Sequence, residues 1–267
     1  MATTSSRTDP TNILGNIERI FSTLNNKLEK DVRDHLKNVY STLTICMFSA
    51  VFGVVANSVL GLYSWAFVLA IAQFGLLFML MTTTHSRETE NKRLAYLFGF
   101  AFLVGCNTGP LIEYVGAQDP SLVFNAYLIT CIVFGAFTLS ALYADSTKFL
   151  HLGGMLGAAL MCLLVTSIFA RSQFMYSMIM WGGLAINCGF VLYDTQLIAE
   201  RKRRGDNDYI RHTVDLFIDF IAERKRRGDN DYIRHTVDLF IDFVNLFRYI
   251  LILLKDKSDN DRRRNRN

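Results

Sequence analysis

Proline is scarce, with 3 in 267 residues, and charge is sparse, with Asp, Glu, Lys and Arg at 19%. Few prolines leave long helices uninterrupted. Sparse charge beside 51% hydrophobic residues and a positive mean hydropathy is unusual for a soluble domain of this size. The 5 cysteines show no close Cys or Cys/His spacing, so neither a disulfide framework nor a metal knuckle is expected. Cys46, Cys106, Cys131, Cys162 and Cys188 all lie within apolar runs, the usual place for small unpaired cysteines. Residues 1–38 lack an apolar h-region, so no cleavable signal is expected and the first span should act as its own insertion signal. No nucleotide loop, HExxH string or plausible Ser-His-Asp set is present, and the aspartates lack a peptidase motif. An enzyme is therefore not expected, and no cofactor either.

What is present is a series of seven apolar runs: Val39–Asn57, Leu60–Met81, Leu94–Ile112, Leu122–Tyr143, Phe149–Ala170, Phe174–Ile198 and Val237–Leu254. At 1.5 Å per residue each can cross a hydrocarbon core of about 30 Å. One such run could be a buried soluble core; seven predict an all-α polytopic membrane protein, a seven-helix bundle in a lipid bilayer. The chain then divides into a polar segment (1–38), a membrane domain (39–254) and a basic tail (255–267).

The net charge of +4 sits at the ends and in the loops. Its Arg-rich stretches flank spans, where basic residues follow the positive-inside bias, so nucleic acid is not an expected partner. Spans one and two should form a tight hairpin through Ser58–Val59, and Glu113–Ser121 should join spans three and four. The basic connections His85–Arg93 and Glu200–Thr236 share a side with the N-terminal segment, which the bias makes cytosolic. The tail conflicts with this, because Lys255, Lys257, Arg262, Arg263, Arg264 and Arg266 would fall on the far side. Either the last span crosses against the bias, or it enters and returns.

The chain also copies itself. Ile198–Phe220 and Ile221–Phe243 are identical over 23 residues. In copy one the apolar run Val214–Ala222 has nine residues, interrupted by Asp215 and Asp219. Nine helical residues rise only about 13–14 Å, so copy one reads as a surface amphipathic helix with Ile210, Val214, Phe217 and Ile221 on one face. Copy two runs on through Val244–Leu254 and completes a span.

The candidate chemistry is carboxylate chemistry. Asp194 is the only charge in Phe174–Ile198, and Asp238 and Asp242 share a face of the last span one turn apart, with Arg248 further along. His151 is expected inside the fifth span. Charges within a bilayer are costly unless paired or wet, and by default they indicate an ion or proton path. Against this, Asp194 and Asp238 stand near span ends, where headgroups and water could meet them. Two facing carboxylates cannot easily both ionise, and they titrate as a unit. Carboxylate oxygens also suit Ca²⁺. An Asp194–Asp242 pair is thus a candidate pH-sensitive gate and Ca²⁺ ligand set, with Asp238, Asp219 and Asp215 as further candidates. Asp206-Asn207-Asp208 lacks the later glycine and glutamate of an EF-hand loop. Gly153, Gly157, Gly182, Gly183 and Gly189 are expected at close helix contacts.

Several strings resemble the Bax inhibitor family, the transmembrane Bax inhibitor motif proteins. They are His35–Tyr40 (HLKNVY), Thr84–Leu94 (THSRETENKRL), Gly99–Leu103 (GFAFL), Thr138–Tyr143 (TLSALY) and Cys188–Ile198 (CGFVLYDTQLI). The resemblance runs from about residue 14 onward. It implies a seven-helix fold, an endoplasmic reticulum membrane location, suppression of cell death, apoptosis-regulating membrane partners and a pH-sensitive Ca²⁺ leak. The alternative is a non-conducting scaffold that acts in apoptosis and ER stress through partners. The family's two-aspartate site maps to Asp194 and to the second aspartate of DLFxDF, which is Asp219 or Asp242. Spacing after YDTQ favours Asp219, and continuity into VNLFR favours Asp242. Asp242 is the choice, because completing a span is a physical requirement. The family's basic partner near the end of span two suggests His85 or Arg87. Its lysine-rich tail is replaced here by Arg262–Asn267.

Overall fold

The structure is a computed structural model, which describes residues 30–83, 88–144, 148–204 and 231–264, without the side chains of 203 and 204. These residues form seven long α-helices and no strand. They are α1 Lys30–Leu60, α2 Ala66–Thr82, α3 Glu90–Gln118, α4 Pro120–Tyr143, α5 Leu152–Phe169, α6 Gln173–Arg204 and α7 Tyr232–Arg264. A 3-10 turn, Leu62–Trp65, leads into α2. Six of the helices are long and apolar enough to cross a membrane, and α7, which carries Asp238, Asp242 and Arg248, stands among them as the seventh. The protein is a multi-pass helical membrane protein, as the apolar runs predict.

The helices outrun the apolar segments. The first hairpin turns at Gly61, not at Ser58–Val59, because α1 continues to Leu60. Gly61 has φ 63° and ψ 38°, the left-handed region in which glycine has no Cβ to clash. Between α3 and α4 the expected Glu113–Ser121 connection shrinks to one residue. Polar residues do not end a helix by themselves; here a cap does. The Asp119 carboxylate accepts from the Ser121 amide at 3.0 Å and from its hydroxyl at 2.7 Å, and Pro120 opens α4. These bonds hold the exposed Asp119 carboxyl below its ordinary value.

Glycine sets the tightest contact. A Cβ on Gly53 would lie 2.0 Å from the Phe102 carbonyl oxygen, and one on Gly105 would lie 2.0 Å from that of Ala50. Burying apolar surface against lipid gains little, so close backbone approach and its dispersion contacts hold α1 to α3. The expected glycine set is partly right. Gly153, Gly183 and Gly189 pack against Tyr193, Tyr249 and Leu156, and Gly182 makes only ordinary contact with Leu163. Gly157 meets nothing within 4 Å.

α7 lies parallel to α1 and α3, in step with both. Val39, Phe100 and Thr108 meet Thr236, Phe240 and Arg248 in turn. Further on, the Lys255 ammonium sits 5.1 Å from the Tyr114 ring centre, and Arg262 donates to the Gln118 carbonyl at 3.4 Å. α7 is one unbroken helix from Tyr232 to Arg264 that runs the length of the bundle and does not turn back. Copy two of the repeat, from Tyr232, is the start of this helix. Copy one continues α6 as far as Arg204, and its expected amphipathic helix falls outside the described residues.

Candidate functional site

α6 and α7 pack antiparallel, with Gly183 against Tyr249 and Asp194 against Asp242. Asp194 and Asp242 face each other with their carboxyls within hydrogen-bonding reach. Asp242 is 6% exposed, and its Oδ2 meets no donor. A hydrogen bond between two carboxyls needs one proton shared between them. With both ionised, two charges near 4 Å repel by about 4 kcal/mol at an effective dielectric of 20. A doubly ionised pair must therefore part or take up a cation. Asp238 adds its charge to both, and Arg201, further along α6, acts on Asp194.

The structure thus brings together three sequence-derived candidates: Asp194, Asp242 and Asp238. Asp215 and Asp219 of copy one, and His85 and Arg87 after α2, lie outside the described residues. His151 is displaced from its expected place: it is exposed at the N-cap of α5, because that helix begins only at Leu152.

Several polar contacts between helices were not foreseen from the sequence. Next to the start of α7, Arg93 of α3 is buried and forms a bidentate ion pair with Asp231, one arm at 2.8 Å. Tyr232 donates to Glu90 at 2.6 Å. His35 Nε2 of α1 lies 3.0 Å from His235 Nδ1 of α7, and both rings are buried. Together these contacts clasp the first turn of α7 to α1 and α3. The signal was available, since His35 stands in HLKNVY, Arg93 in the THSRETENKRL string, and Asp231 and His235 in the repeat. Towards the other end, Arg248 donates to the Thr108 hydroxyl through Nε at 3.1 Å and through Nη2 at 2.5 Å.

Sequence comparison gives this arrangement its kinship. The profile of the family described as "Inhibitor of apoptosis-promoting Bax1" matches residues 32–222, ending two residues into the second copy. A relative from Paralichthys olivaceus, "Probable Bax inhibitor 1", is 46% identical over 189 residues, 70% of this chain and 80% of the relative. "Bax inhibitor 1" of Homo sapiens is 44% identical over 191 residues, 70% and 81% of the two chains. "Bax inhibitor 1" of Oryza sativa subsp. japonica is 35% identical over 194 residues, 71% and 76%. On a match of this length and identity, spanning α1 to the end of α6, the chain belongs to the family of inhibitors of apoptosis-promoting Bax1.

Proposed function

We propose that this chain restrains cell death from the endoplasmic reticulum membrane, where it mediates a pH-sensitive Ca²⁺ leak. The names of its relatives support the restraint of cell death. The observation that carries the leak is the Asp194–Asp242 pair, set between two helices of the bundle with Asp242 Oδ2 buried and without a donor. Such a pair has two states. With one shared proton it closes on itself; without it, the carboxylates separate and offer hard oxygen ligands to a cation. Ca²⁺ is then the permeant or regulatory ion, and Asp194 and Asp242 are its ligands on the path. Apoptosis-regulating membrane proteins are the partners through which the leak would act.

The competing reading is a non-conducting scaffold that regulates apoptosis and ER stress signalling through partners. It needs no carboxyl pair inside the bundle. Purified protein in Ca²⁺-loaded vesicles decides between them. Efflux is measured across pH for the natural chain, Asp194→Asn and Asp242→Asn. The leak reading expects pH-dependent efflux whose dependence flattens in both variants. An unchanged pH profile in both variants favours the scaffold.

A further inference from the structure

Threonines inside membrane helices usually satisfy their hydroxyls on their own helix, at the carbonyl one turn back. Thr44, Thr108, Thr130, Thr166 and Thr236 do so here, at 2.7–2.9 Å. Thr138 of α4 and Thr195 of α6 do not. Each Oγ1 is buried without a hydrogen-bond partner, and so is the Tyr40 hydroxyl of α1. Thr195 is at 0% exposure and Thr138 at 8%, and Tyr40 is half-buried with its hydroxyl enclosed. Thr138 and Thr195 come close enough to the Tyr40 hydroxyl to influence it, yet none of the three oxygens makes a hydrogen bond of proper geometry. Three helices thus turn three hydroxyls towards one another, each giving up or lacking the easy bond of its own backbone.

Leaving three buried hydroxyls unmet is costly, because each carries a desolvation penalty that nothing offsets. A water molecule typically makes about three bonds inside a protein, to groups that otherwise lack them. Three neutral hydroxyls can supply both donors and acceptors to it. They suit a bare cation less well, since hard cations draw on carboxylates and carbonyls.

We propose that Tyr40, Thr138 and Thr195 form a binding site for one buried water molecule, which ties α1, α4 and α6 together one residue on from Asp194. The site is separate from the carboxyl pair and does not depend on the leak reading. Its three residues come from three different strings, HLKNVY, TLSALY and YDTQ, each of which contributes one hydroxyl.

The test uses the full chain in nanodiscs with Tyr40→Phe, Thr138→Val and Thr195→Val, each nearly isosteric. If the hydroxyls hold a water, each variant lowers Tm by about 2–4 °C, and the triple variant loses less than the sum of the three. Unchanged or raised Tm in all three would mean that the hydroxyls hold nothing, and would overturn the site. A density map of the natural chain at high resolution gives a second readout that needs no variant. A peak within about 2.7–2.9 Å of all three oxygens is expected. Hydroxyls in direct contact with no density between them would overturn the proposal. So would a Tm that rises with Na⁺, K⁺ or Ca²⁺ and loses that rise in Tyr40→Phe, which would make the occupant a cation.

Discussion

α2 and α7 are opposites. α2 carries no charge and only Gln73 and Thr82 as polar side chains, yet buries a single residue, Leu80. α7 carries Asp238, Asp242 and Arg248 and buries eleven residues. In water the more apolar helix would be the inner one. In a bilayer the order reverses, because lipid accepts apolar surface at no cost and excludes charge. Phe67, Phe74 and Phe78 of α2 are accordingly all about two-thirds exposed or more, at 78%, 68% and 68%. The polar helix is central because the bundle is where its polar groups find partners.

This contrast can be broken at several points. The largest expected effect is at the clasp that seats α7. Asp231→Asn leaves the Arg93 charge without its carboxylate in a place where the two side chains are 3% and 14% exposed. It should cost about 3–5 kcal/mol, read as a lower Tm in detergent. The matching change in copy one, Asp208→Asn, should be silent. Equal losses would mean that both copies share the seat.

Aromatic truncation sharpens the same contrast. Phe240 of α7 is fully buried, 6.1 Å from Phe100 between ring centres, whereas Phe74 of α2 is 68% exposed. Phe240→Ala should cost about 3–5 kcal/mol and Phe74→Ala little. A comparable Tm loss for Phe74→Ala would put α2 in a protein interface rather than in lipid.

Glycine substitution should divide by sign. Gly105→Ala drives a methyl into the Ala50 carbonyl and should cost about 1–3 kcal/mol or more. Gly157→Ala enters open space and should gain about 0.5–1 kcal/mol. Thermal unfolding of the two variants side by side reads this.

The smallest effect belongs to Asp119, whose carboxyl is held below its ordinary value by the hydrogen bonds from Ser121. A depressed folded value stabilises above the unfolded one and is lost as pH falls through the folded value. The contribution is therefore complete above about pH 4 and fades in stronger acid. Asp119→Asn keeps the cap but should remove that acid-side fading from the Tm–pH curve.

The sequence already showed the spans, because an apolar run of bilayer length has few other uses. It showed Asp194 and Asp242 for the related reason that a charge in such a run needs an explanation. The packing was harder to read. Gly53 and Gly105 matter more than Gly157, yet only the partner helix distinguishes them. The clasp was hidden for a different reason. Arg93, Asp231 and His235 look like ordinary loop-side polar residues until two helix ends distant in sequence are brought together. The end of α3 was misread because polarity was taken to stop a helix, when the stop is the Asp119–Pro120 cap.

The repeat concentrates these lessons, because two identical strings have different neighbours. Residue spacing and the family match, which ends at residue 222, point to copy one, while the helix that faces Asp194 is built from copy two. The most direct test sets Asp219→Asn beside Asp242→Asn in Ca²⁺-loaded vesicles, with a chain lacking Ile198–Phe220 as the third sample. With copy two in the seat, Asp242→Asn flattens the pH dependence of efflux, Asp219→Asn leaves it intact, and the shortened chain inserts and leaks as the full one does. A flattened profile in Asp219→Asn with a normal one in Asp242→Asn would contradict this, and would give the carboxyl pair to the other copy.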